Sequence, residues 1–79
     1  MKICLKTKEK IITFDFEDVM WDAKTKELSF FSIYGGDVFA KEVVNEPSAH
    51  KIVDTIGKCL VFDAQYLQII ILASGEAIV

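Results

Sequence analysis

The last fourteen residues, "YLQIIILASGEAIV" (Tyr66 to Val79), constrain the fold more than any other stretch. Read as a strand, the segment places Leu67, Ile69, Ile71 and Ala73 on one side. Tyr66, Ile70 and Leu72 fall on the other, where only Gln68 is polar. A half-exposed strand alternates apolar and polar residues, because successive side chains point to opposite faces. A strand apolar on both faces requires cover on both.

The length limits what can supply that cover. Seventy-nine residues make one domain, and a chain this short buries only about 60% of its unfolded surface. Domains of this size lean on disulfides, metals or oligomerisation. An apolar content of 52% is too high for a disordered segment and favours burial shared with a partner. Cys4 and Cys59 are too few and too distant for a disulfide framework, so free thiols in a reducing compartment are expected. The opening "MKICLKTKEK" lacks the apolar run of a signal peptide. The longest apolar run, Ile69 to Ala73, falls far short of the roughly 20 residues of a membrane helix. A cytoplasmic protein without a membrane partner is the expectation.

Charge is unevenly spread. Residues 1–10 carry net +3, residues 11–22 net −4, and the remainder net −2. All nine basic residues are lysine. Without the bidentate forks of arginine, direct nucleic-acid recognition is disfavoured.

Local pattern supplies the elements. "KICLK", "KIITFDF", "DVMWD", "LSFFSIY" and "VFAKEVV" read as an antiparallel meander, with a Gly35–Gly36 hairpin turn. The period then changes. Asn45 or Ser48 can cap a helix, Pro47 sits at a tolerated early position, and Ala49, Ile52, Val53 and Ile56 form one stripe. Gly57 suits a left-handed helix end, which predicts a helix near residues 46–57. "KCLVFD", "YLQIIILA" and "EAIV" then read as strands. The fold class is α+β: about six or seven short antiparallel strands, as a twisted sheet or small barrel, with one helix.

Turn lengths imply register. A two-residue turn at Gly35–Gly36 sets Ile33 opposite Val38 and Phe31 opposite Ala40; a four-residue loop at 23–26 sets Trp21 opposite Leu28 and Val19 opposite Phe30. One face then collects Val19, Trp21, Leu28, Phe30, Phe39 and Val43 as the core under the helix. The other collects Met20, Phe31, Ile33, Val38 and Ala40. One helix cannot cover both faces. Either the sheet closes on itself, or a second copy packs on the Met20, Phe31, Ile33 and Val38 patch, and the homodimer is preferred.

The chemistry-bearing residues are sparse. His50 is the only histidine and has no neighbouring ligand set for zinc. A pairing of His50 with Cys59 would need the fold to bring them together, and a solvated histidine is the simpler expectation. In "DFEDVMWD", the acids Asp15, Glu17, Asp18 and Asp22 form a candidate electrostatic contact surface. The stretch lacks the glycine of a calcium loop and alternates as a strand. "YGGD" joins two strands and has no following Lys-Ser/Thr, so it is not a phosphate loop. Phe30, Phe31 and Tyr34 lack the basic field of a nucleic-acid stacking platform.

The expectation is a non-catalytic interaction module without cofactor or metal. It would act as a homodimer that binds a protein partner and can inhibit it, as short acidic phage-encoded defence inhibitors do, an analogy of size and charge alone. The alternative is an oligomer enclosing a small ligand or nucleotide in a pocket lined by Trp21, Tyr34 and Phe39.

Overall fold

A computed structural model describes all 79 residues. The chain is α+β, with seven strands and one helix in the order β1 (Lys2–Lys6), β2 (Ile11–Asp15), β3 (Asp18–Asp22), β4 (Glu27–Phe31), β5 (Val38–Val43), α1 (Glu46–Val61), β6 (Tyr66–Ile71) and β7 (Ala77–Ile78). The strands form two sheets. Sheet A has the order β2-β1-β6-β7 and joins the two ends of the chain; sheet B is the local meander β3-β4-β5. All neighbours are antiparallel except β1 and β6, which run parallel with Ile3 beside Leu67 and Leu5 beside Ile69.

The core lies between the inner faces of both sheets and α1. Sheet A contributes Ile3, Leu5, Ile69, Ile71 and Ala77; sheet B contributes Leu28, Phe30 and Ala40; the helix contributes Ala49, Ile52 and Ile56. Each large apolar side chain buried there stabilises by about 1.5–3 kcal/mol. Phe30 packs against Phe14 and Phe16 at ring separations of 5.2 and 6.5 Å, and Phe14 stacks on Phe39 at 5.5 Å. With the Lys10–Glu42 ion pair at 3.4 Å, these aromatics join β2 to β5 through side chains. No hydrogen-bonded ladder runs between those two strands, so the sheets do not close into a continuous barrel.

The β3–β4 register is as turn length implies: Trp21 faces Leu28 and Val19 faces Phe30. The β4–β5 register differs. Phe31 meets Val38 and Phe30 meets Ala40, with an irregularity between them. The connection spans residues 32–37 and is closed by Ser32 N–H to Asp37 C=O (2.8 Å) and Gly36 N–H to Ser32 C=O (3.0 Å). Ile33 therefore leaves the strand, Ala40 turns inward, and Phe39 and Val43 become surface residues rather than core.

The helix begins as its sequence predicts. Asn45 accepts the Ser48 N–H at 3.0 Å, and Pro47 lies in the first turn. Its end is four residues beyond the expected one. Gly57 is an interior helical residue, and "KCLV" (58–61) continues the helix instead of starting a strand. The true end is at Asp63, which takes φ 58°. Ala64 N–H bonds Cys59 C=O (2.8 Å) and Asp63 N–H bonds Leu60 C=O (3.3 Å), the paired bonds of a Schellman ending. One interior glycine costs about 1 kcal/mol. The added turn offsets that by half-burying Cys59 and delivering Gln65 to the Lys2 N–H at 2.9 Å. Val53, placed in the stripe by spacing, is exposed.

Gly75 is buried at φ +87°, and its carbonyl accepts the Asn45 N–H at 2.9 Å, which locks the β6–β7 turn to the helix entrance. The two glycines carry opposite expectations. A Cβ at Gly57 meets nothing within 4 Å, so Gly57→Ala should stabilise by about 0.5–1 kcal/mol. Gly75→Ala should destabilise by at least about 1 kcal/mol through positive-φ strain. Thermal melts check both, since 1 kcal/mol shifts Tm by about 4–8 °C in a domain of this size. A lowered Tm for Gly57→Ala would restore it as the helix end.

Candidate functional site

Two outward sheet faces carry apolar side chains. On sheet B the inward residues are Leu28, Phe30 and Ala40, so alternation turns Met20, Phe31, Val38 and Val43 outward. Met20 is 60% exposed, Ile33 60% and Val38 53%, while Phe31 is half-buried. Tyr34 stands almost wholly free at the tip of the loop that holds Ile33. The same face carries Asp18, Asp22 and Glu27 against one cation, Lys41. The registers give three outward rows, Asp18–Phe31–Val38, Met20–Ser29–Lys41 and Asp22–Glu27–Val43, so apolar and acidic side chains are interspersed across the face.

The four acids singled out by sequence do not converge. Asp15 pairs with Lys2 at 3.2 Å on sheet A. Asp18 accepts the Val19 N–H at 2.8 Å, and Asp22 accepts the Lys24 and Thr25 N–H groups in the β3–β4 turn. Glu17 accepts the Ser32 hydroxyl and the Ile33 N–H, both at 3.2 Å. That carboxylate fixes the loop presenting Ile33 and Tyr34. It explains why the turn is not confined to Gly35–Gly36: a residue fifteen positions upstream captures the loop. No three His, Cys, Asp or Glu side chains come together in a way that could hold a metal ion.

His50 lies on the first turns of α1, edge-on to the Trp21 ring at 6.4 Å and 3.9 Å from Glu46. Lys26 lies over the other part of the same cluster, 5.4 Å from the Trp21 ring. Trp21 in turn donates its indole N–H to the Val44 carbonyl at 3.1 Å. The group closes the entrance of the helix against sheet B. His50 and Cys59 both belong to α1. Nine residues along a helix are two and a half turns, roughly 13 Å and half a revolution, so the two point away from one another. Both cysteines are free thiols.

Three surface clefts of about 300 Å³ occur, and Trp21, Tyr34 and Phe39 line none of them. One runs from the β1–β2 hairpin tip at Lys8 and Lys10 to Ile71 and Leu72 at the end of β6. The Lys10–Glu42 pair crosses it.

Sequence reading missed the outer face of sheet A. There Ile11 is 64% exposed, Tyr66 55% and Ile78 52%, with Leu72 and the half-buried Ile70 adjoining. The signal was present in the second apolar side of the closing segment; its continuation onto β2 needed the sheet order. Tyr66 lies near Cys4 on this face. The neighbouring Cys4 thiol, with desolvation, holds the phenol above the usual tyrosine range.

No protein-family model matches the chain, and no curated protein or solved structure matches it significantly. No helix is long and apolar enough to cross a membrane.

Glu17 gives the sharpest local test. Glu17→Ala removes both loop bonds and should destabilise by about 1 kcal/mol. In hydrogen exchange the Ile33 amide should lose protection while the β3–β4 ladder keeps it. Unchanged exchange at Ile33 would mean that the loop holds without the carboxylate.

Proposed function

We propose that this chain is a small, non-catalytic, cytoplasmic interaction module that works as a homodimer, binding another macromolecule and inhibiting it by occupying its surface. The observation that carries the reading is the face of sheet B. Met20, Phe31, Ile33 and Val38 are exposed or half-buried, and Glu17 ties down the loop between β4 and β5 with two hydrogen bonds. Contiguous exposed apolar surface on a small domain marks an interaction site. A preset loop lowers the ordering cost of binding.

The surrounding charge selects the kind of partner. With Asp18, Asp22 and Glu27 against Lys41, the face has a net charge of −2. A partner that sets cations among apolar side chains complements it, and the acids would speed encounter at low salt. Carboxylates that serve the protein's own turns, as those of Asp18 and Asp22 do, keep lone pairs free for such cations.

The immobilised chain, presented to cell lysate at low and physiological salt, should retain one main protein species that Ile33→Glu releases. Asp18→Lys should weaken retention most at low salt. Retention of nothing above background, or equal retention by Ile33→Glu, would overturn the assignment of this face.

A further inference from the structure

We infer that the second copy packs on the outer face of sheet A, through an isologous contact whose twofold axis runs along the strands. This rests on the homodimer reading and leaves the acidic face of sheet B to the macromolecular partner. The registers define the surface. Ile11, Lys6, Ile70 and Ile78 lie in one row across all four strands, and Asp15, Lys2 and Tyr66 lie in a parallel row at the other end. Thr13, Cys4 and Gln68 lie between them.

Size permits a second copy on this face, and charge favours it over sheet B. The exposed parts of Ile11, Leu72 and Ile78, with Ile70 and, in the far row, Tyr66, amount to on the order of 400 Å², the size of the largest and often functional apolar patch on a monomer. With its polar rows the face approaches the roughly 800 Å² per partner of a standard interface. Lys2 is neutralised by Asp15 at 3.2 Å, so Lys6 is the one unbalanced charge. Its stem lies between Ile11 and Ile70 and can leave the ammonium at the rim. Two copies of sheet B's face would instead double a net charge of −2 across an apolar contact, which repulsion and desolvation oppose.

The row order decides the axis. Turned over about an axis along the strands, the row Ile11, Lys6, Ile70, Ile78 meets its own copy in reverse. Ile11 then faces Ile78 of the second copy, and Lys6 faces Ile70. In the far row Lys2 comes over the Tyr66 ring, a cation–π arrangement. An axis across the strands, centred on the isoleucine row, would set Lys6 against Lys6. Aligned packing of sheets within about 30° accommodates the first arrangement. The second apolar side of "YLQIIILASGEAIV" thereby receives its cover.

Light scattering at micromolar concentration tests this, with circular dichroism to check folding. The parent should be a dimer, Ile78→Glu and Ile11→Lys should each run as monomers, and Ile33→Glu should remain a dimer. Combining Ile11→Lys with Ile78→Glu should restore the dimer, because the twofold axis places each new lysine opposite a new glutamate. If Ile33→Glu dissociates the dimer and Ile78→Glu does not, the contact is on sheet B; this inference falls and the homodimer survives. Dissociation by both variants would indicate head-to-tail packing of sheet A on sheet B and overturn the isologous contact. A monomeric parent would overturn the homodimer and this inference together, leaving the sheet B partner surface to its own test.

Discussion

The parallel pairing of β1 with β6 is the constraint on which the other elements depend. It joins residues more than sixty positions apart, Lys2 with Tyr66 and Lys6 with Ile70. Closing a loop of that length costs entropy that only later contacts can offset. The strands concerned carry the most completely buried side chains of sheet A, Ile3, Leu5 and Ile69. Beyond β2, which stays in sheet A, the sheet B meander and the helix are a single excursion that must return over the inner face of that pair. The helix is consequently as long as the return requires, and its Schellman ending at Asp63 sets the direction in which β6 starts.

Two seams hold the excursion in place, and they use different chemistry. Between β2 and β5 the contact is aromatic and ionic, through Phe14, Phe30, Phe39 and the Lys10–Glu42 pair. At the helix entrance it is made of directional hydrogen bonds. Ser48 Oγ accepts the Ala77 N–H at 3.0 Å, Gly75 C=O accepts the Asn45 N–H, and Trp21 donates to Val44 C=O. The second seam fixes orientation, because each bond tolerates little rotation. The first is more permissive, and it is where β5 accommodates its irregular residue. Neither seam uses Met20, Phe31 or Val38 of sheet B, or Ile11, Ile70 or Ile78 of sheet A.

Much of this was legible locally. The period-two alternation of Phe14 and Phe16, the four-residue β3–β4 loop and the Asn45 cap are all carried within a few residues of sequence. The errors fell where a distant group intervened. Gly35–Gly36 is a sound hairpin signal by itself, yet Glu17 recruits Ser32 and Ile33 and lengthens the connection. That moved Phe30 by one residue and Phe31 by two relative to β5, and brought Ala40 to the inner face in place of Phe39. Gly57 is likewise a good helix terminator whose cost is small beside the packing gained by one more turn. Of the acidic candidates, Asp15, Asp18 and Asp22 are exposed and Glu17 is half-buried; their partners are local turns, the β4–β5 loop and Lys2, which spacing alone does not reveal.

The sequence by itself determined the α+β class, one helix beginning after Asn45, the segregation of lysines from acids, and a closing strand without a polar face. These follow from periodicities of 2 and 3.6 residues and from side chains that bond their own backbone neighbours. Only the tertiary structure decided that the two chain ends share a sheet, that the strands divide into two sheets, and which apolar sides remain bare. Those outcomes depend on pairings across dozens of residues. A strand's pattern states that a face wants cover; it carries no information about which distant element arrives to provide it.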